Sequence, residues 1–329
     1  MATYKGIRGV TIPTVDGDPG TIQLGEIWYN SSTKALRVGK TQAASWASGN
    51  NMNTARQSPI SGGGTQTSGI AAGGWTSTKS ALSEEYNGTS WAEGNNINTA
   101  RAYLNGCGAA NTAALAFGGD THPPTPNRRS ALNESYDGTS WTETGDLNTA
   151  RNSGGSFGSQ TSAMMGGGSY PDKAVCETWD GSSWTEAADL NTARSETAGS
   201  GTTNTAGIVF GQNNAPGAGD LVESWDGSSW TEVADLNTAK RVLGGSNQGS
   251  STAALAFGGQ GATAQTATTE LWDGSSWTEV ADLSTARRDL GGTGTSTTGL
   301  AYAGYTTANS SATEEWTGEY TAAASVTSS

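Results

Sequence analysis

Histidine is almost missing: His122 is the single one in 329 residues. Metal centres draw heavily on imidazole, and so does much acid–base chemistry, so this scarcity removes most metal enzymes and most histidine-dependent mechanisms. Charge is scarce too, at 14% of the chain against about 25% in an average globular protein. What charge exists is acidic, 17 Lys+Arg against 30 Asp+Glu for a net −13. Such a chain offers no broad phosphate-binding surface, which argues against nucleic acid as a partner. Cysteine occurs only at Cys107 and Cys176, too few for a disulfide framework, and both are expected to be free thiols in small core positions. Long apolar runs are lacking as well. Stretches such as Ala113-Ala114-Leu115-Ala116-Phe117 reach five or six residues, whereas a spanning helix needs about 20, so no membrane insertion is expected. The start, Met1-Ala2-Thr3-Tyr4-Lys5-Gly6, has no apolar h-region, so no secretory signal is expected. No segment sustains a 3.6-residue period, so helices should be rare.

What is abundant is glycine, 48 residues, and tryptophan, 12 residues, and the tryptophans recur. They stand at Trp46, Trp91, Trp141, Trp184, Trp230 and Trp277, with gaps of 45, 50, 43, 46 and 47 residues. Each opens a similar phrase, as in Trp184-Thr185-Glu186-Ala187-Ala188-Asp189-Leu190-Asn191-Thr192-Ala193-Arg194. The basic residue ending that phrase is Arg56, Arg101, Arg151, Arg194, Lys240 or Arg287. From each of the six follows a set of three strands: strand a, Gly-rich; strand b, an apolar run ending in glycine; and strand c, ending in an aromatic. An Asp-Gly-Ser-Ser turn or a variant then leads to the next Trp, which starts strand d; Asp-Gly and Asn-Gly favour the positive φ of tight hairpins. Four short strands at a period near 46 residues read as a propeller blade, and six sets give six blades. The Trp46 strand precedes the first set, and the last c strand is followed only by a degraded stretch, Thr317-Gly318-Glu319-Tyr320. The Trp46 strand is therefore expected to pair with the Trp316 strand and close the ring, which removes free edges.

These residues resemble a kelch, or galactose-oxidase-central-domain, propeller over about residues 43–320. The resemblance is carried by the Gly pair after strand b (Gly73-Gly74, Gly118-Gly119, Gly258-Gly259), then an aromatic (Tyr86, Tyr136, Trp179, Trp225, Trp272, Trp316), then the Trp about five residues on. Set four departs with Gly211-Gln212 and set six with Ala303-Gly304. Trp-Asp at 179, 225 and 272 does not make a WD repeat, because the recurring Gly-His of that family has no counterpart. The regular Trp-Asp-Gly-Ser-Ser-Trp-Thr-Glu units also resemble virion proteins of tailed, particularly marine, phages. The segment Gly25-Glu26-Ile27-Trp28-Tyr29-Asn30 through Val38 is similar to hairpins near the start of phage appendage proteins. That resemblance implies a virion location, with assembly in the host cytoplasm.

Galactose-oxidase copper chemistry does not transfer, since two His ligands are needed. A sialidase site would need an arginine cluster and a Tyr–Glu pair, and nothing in the linear pattern singles them out. The repeated carboxylates Glu186, Glu232, Glu279, Asp189, Asp235 and Asp282 are read as architectural, because reactive pairs need one special environment. The six basic residues are read the same way, paired with strand c glutamates Glu85, Glu134, Glu177, Glu223, Glu270 and Glu315. No metal, cofactor or catalytic residue is expected.

Recognition should lie where the sets differ. The b–c loops vary, and Trp75, Tyr305, His122, Arg128, Arg129 and Tyr170 stand on them. Rigid scaffolds with variable loops build recognition surfaces, and ring closure would set Trp75 beside Tyr305. Flat aromatics near Asn, Asp and Arg suit a sugar or a partner protein. Residues 1–42 lie outside the repeat and are read as an attachment segment with a hairpin at about 25–39, docking on other virion proteins with Trp28 and Tyr29 in the contact. Residues 43–329 are the propeller. The expected function is a non-enzymatic virion surface protein, part of a homo- or hetero-oligomeric assembly, that contacts host-surface polysaccharide. A decoration or connector role in the particle, or a free glycan-binding lectin or glycosidase, are the alternatives. A cluster of perturbed carboxylates in one channel mouth would favour the enzyme.

Overall fold

The computed structural model describes residues 12–121, 129–169, 171–214 and 217–326. All regular elements among the described residues are strands, and the chain divides into two compact units. The larger is Ser45–Thr317; the smaller combines Met1–Ala44 with Gly318–Ser329.

In the large unit the repeat folds into antiparallel four-stranded sheets. Set three is the simplest: Gly155–Ser159, Ser162–Gly166, Cys176–Trp179 and Trp184–Ala187 pair in sequence order. Sets four and five repeat this order, and sets one and two share one eight-stranded sheet, joined by the single bridge Gly63↔Gly108. In set six, Gly291–Gly294, Thr298–Tyr302 and Thr313–Thr317 take as fourth strand Ser45–Ser48, with Trp316 opposite Trp46. Many four-stranded antiparallel sheets without a helix are consistent with a β-propeller.

Burial along each set explains its sequence. Strand a is glycine-rich because neighbouring a strands crowd together: a Cβ on Gly199 would lie 2.7 Å from the Ser156 carbonyl oxygen. Strand b is buried on both faces, so it reads as a continuous apolar run, as in Ala254–Phe257. Strand c is buried except at the half-buried residue before its aromatic, and strand d buries its Trp while exposing the Thr and Glu that follow. The strand d Trp packs on the aromatic that ends strand c, at 4.9 Å for Tyr136–Trp141 and 5.3 Å for Trp272–Trp277. Cys107 and Cys176 are free and buried, and burial pushes both thiols far up, to about 12 for Cys176.

Where strand b ends in two glycines, both adopt positive φ, +67° and +99° at Gly73 and Gly74, and turn the chain out of the sheet. Set four has Gln212 at the second position. There strand b runs on as Ala206–Asn214 and pairs with Gly217–Trp225.

The small unit is one four-stranded sheet. Thr14–Val15 runs parallel to Ile27–Asn30, which pairs antiparallel with Ala35–Gln42, which pairs with Tyr320–Ser325. The C-terminal stretch is therefore a strand of this sheet and adds nothing to set six. Asp18 ties the sheet together, accepting from Trp28 Nε1 at 3.1 Å and Asn30 Nδ2 at 2.8 Å and pairing with Arg37 at 3.3 Å.

Candidate ligand-binding site

The site is built on the connectors that lead from each strand d into the next strand a. The motif Leu-Asn-Thr-Ala-Arg fixes them. Its apolar residue is buried (Met52, Ile97, Leu147, Leu190, Leu236, Leu283). Its Asn reaches the carbonyl of the strand d Trp, as Asn98 does to Trp141 at 3.0 Å and Asn237 to Trp277 at 2.8 Å. Its basic residue is wholly buried and meets a strand c glutamate. The pairs are Arg56–Glu84, Arg101–Glu134, Arg151–Glu177, Arg194–Glu223, Lys240–Glu270 and Arg287–Glu314. At Arg101, Nη1 donates to the carbonyls of Gly118 (2.9 Å) and Leu132 (2.8 Å), and Nη2 to Glu134 at 2.7 Å and the Ala116 carbonyl at 3.3 Å. Burial lowers each of these basic pKa values, and the glutamate charge opposes it.

Two expected partners are corrected. Glu85 and Glu315 do not meet the basic residues; Glu84 and Glu314 do. Consecutive residues of a strand point to opposite faces, and the pairing glutamate stands two residues before the aromatic in every set. Glu85 and Glu315, on the other face, accept from the hydroxyls of Tyr136 and Tyr86 in the neighbouring set.

Two residues past each basic residue the chain turns through a left-handed conformation: Ser58, Tyr103, Ser153, Glu196, Val242 and Asp289, with φ between 46° and 60°. For Val242, β-branched, this is a strained conformation. These residues are joined by backbone hydrogen bonds in a cycle. Tyr103 N–H donates to the carbonyl of Ser58 (3.3 Å), Ser153 to Tyr103 (3.1 Å), Glu196 to Ser153 (2.6 Å), Val242 to Glu196 (2.8 Å), Asp289 to Val242 (2.8 Å), and Ser58 to Asp289 (2.7 Å). The backbone repeats and the side chains do not.

Over this cycle lies a cavity of about 400 Å³ lined by Tyr103, Ser153, Glu196, Val242 and Asp289, by Asn152, Arg241 and Arg288 beside them, and by Asp120, Arg129 and Ser169 of the b–c loops. A smaller space of about 70 Å³ is lined by residues of the same cycle and the strands that follow them, including Asn105 and Leu243. The charges are interleaved. Arg241 pairs with Glu196 and Arg288 with Asp289, each at 2.9 Å, and buried Lys79 holds Asp120 at 2.8 Å. Desolvation raises the carboxyl pKa of both Glu196 and Asp289, opposed by Arg241 and Arg288 respectively. The mouth thus presents guanidinium donors, carboxylate acceptors, hydroxyls and an amide within one concavity.

Of the side chains expected from sequence, Arg129 lines this cavity. Trp75 and Tyr305 are half-buried outside its lining; Asn309, from the Tyr305 loop, donates to the Trp75 carbonyl at 3.1 Å. Arg288 lies over the Tyr305 ring at 5.0 Å and so links that loop to the cavity wall. His122, Arg128 and Tyr170 lie outside the described residues. In the small unit Trp28 is fully buried and Tyr29 half-buried. The cavity residues missed by sequence follow the basic residue by one or two positions. Their signal is variability beside a near-invariant residue, in connectors rather than in the b–c loops. No protein-family model matches the sequence, and a search of curated proteins returns no match.

Proposed function

We propose that the large unit is a six-bladed, kelch-like propeller, closed by the Trp46 strand, that serves as a recognition module for a saccharide of a host surface, and that the small unit attaches it to a virion. The cycle of six backbone hydrogen bonds carries this reading. A cycle with one member per set is what six closed blades would make, and it frames a mouth where each set contributes a different side chain. Such a mouth, about 400 Å³ with convergent polar groups, lies in the size range of small-molecule sites. Attachment through the small unit is supported by its surface: among the described residues the exposed large hydrophobics are Leu24, Ile27, Tyr320 and Val326, all in that unit. Trp28 then acts as that sheet's core, and the exposed residues supply the contact.

One observation favours a second reading. Glu196 and Asp289, two carboxyls with raised pKa, share the mouth, as a glycosidase would require. Each is clamped by an arginine, which suits binding better than proton transfer. Titrating the full-length protein against host-surface polysaccharides separates the readings. Binding that Tyr103→Ala with Asn152→Ala abolishes, with no chain cleavage, is expected. Undiminished binding in that variant would move the site elsewhere, and cleavage lost in Glu196→Gln would establish the enzyme.

A further inference from the structure

The protein carries a net −13, yet the mouth does not share its sign. Among the described lining residues Arg129, Arg241 and Arg288 stand against Asp120, Glu196 and Asp289, three positive groups to three negative, and buried Lys79 pairs with Asp120. Two of these arginines have donors in reserve. Arg241 spends Nη1 on Glu196 and on Asn213 Oδ1 (3.2 Å), and Arg288 spends Nη1 on Asp289. Neither Nη2 has an acceptor among the described residues, and Arg241 Nε is buried without one. Both side chains remain about one-third exposed, 35% and 36%. Their carboxylate partners, with Asn213 and the Tyr305 ring, hold the planar groups in place, so little order is lost when a ligand arrives.

We propose that the mouth takes an acidic saccharide, a sugar bearing a carboxylate beside free hydroxyls, with the carboxylate on Arg241 and Arg288 and the hydroxyls on Glu196, Asp289 and Asn152. This rests on the saccharide reading above and names its class. A planar two-oxygen carboxylate matches a guanidinium fork, and a phosphate dianion would bring a second negative charge against the three carboxylates already present. An acidic peptide offers carboxylates but few hydroxyls, and would leave Glu196 and Asp289 facing acceptors.

The test uses full-length protein and calorimetric titration with three oligosaccharides of one skeleton: neutral, uronic and phosphorylated. The uronic form is expected to bind about tenfold tighter than the neutral one, the scale of one hydrogen bond to a charged group. Arg241→Gln and Arg288→Gln should each bring the uronic affinity down toward that of the neutral ligand, while circular dichroism melts near the parent's show that the variants fold. Arg288→Lys, which keeps charge but not the fork, should lose part of the preference for uronic over neutral ligand. Equal binding of neutral and uronic forms, or of uronic and phosphorylated forms, overturns the proposal while leaving the saccharide reading intact. Binding of none of the three overturns both.

Discussion

A wholly buried arginine is costly unless its charge is met, and here each pairs with a carboxylate and donates to at least one nearby carbonyl, while Nε of Arg101, Arg151, Arg194 and Arg287 is buried with no acceptor among the described residues. Removing one partner strands the other. Arg194→Ala leaves Glu223 buried with only the N–H groups of Asn191 and Thr192 and the Asn191 amide. The expected loss is about 3–5 kcal/mol in denaturant unfolding. Replacing both, Arg194→Met with Glu223→Leu, should recover much of that loss, because two apolar groups leave no charge unpaired. A single variant as stable as the parent would refute the pairing as a stabilising element. The basic positions were legible in the sequence because identical residues at a fixed period imply identical surroundings. Their partners were legible in four sets and misread in two, where Glu84-Glu85 and Glu314-Glu315 place two carboxylates side by side. Counting back two residues from the strand c aromatic resolves the choice.

Among elements, the c–d turn shows how local chemistry sets strand pairing. In Asp226-Gly227-Ser228-Ser229 the Asp carboxylate accepts the N–H groups of Ser228 and Ser229, each at 2.8 Å, and Gly227 takes φ +98°. Backbone donation from Ser229, then the Ser228 hydroxyl, holds the Asp226 carboxyl at about 2. Its folded value lies below the unfolded value of about 4, so its stabilisation is present above about pH 4 and fades as pH falls toward 2. Asp226→Asn keeps an acceptor oxygen without the charge. Thermal unfolding should place this variant below the parent at pH 7, with the gap closing near pH 2; a gap independent of pH would exclude the charge as its source. Turns of this kind could be read from Asp-Gly alone. The long hairpin of set four was flagged only as a departure, since Gln212 for glycine says that the strand does not stop but not where it goes. The pairing of Tyr320–Ser325 with Ala35–Gln42 was invisible, because nothing local ties segments almost 280 residues apart.

At the scale of the whole molecule, the backbone repeats and the mouth does not, and on the proposed reading the first serves stability and the second recognition. Sequence periodicity exposed the first, and the second hid in it, one or two positions from residues that vary least. The division extends to the two units, and predicts how the chain can be cut. Ser45–Thr317 is continuous and keeps the Trp46 strand, whose ring packs 5.0 Å from Phe257 and 5.4 Å from Trp316 and whose Nε1 donates to Thr269 at 3.0 Å. A protein of residues 45–317 should unfold in one cooperative transition and retain saccharide binding, yet fail to associate with particles, because it lacks Leu24, Ile27, Tyr320 and Val326. Starting instead at residue 50 deletes the fourth strand of the set six sheet and uncovers the edge Thr313–Thr317. That cut removes a half-buried tryptophan and a whole strand pairing, so it should lower stability and promote association through the bare edge. Circular dichroism melts and sedimentation of the two truncations check both outcomes. If residues 45–317 fail to fold, the small unit is integral to the fold rather than an attachment device; if residues 50–317 melt like 45–317, the Trp46 strand does not hold the ring closed.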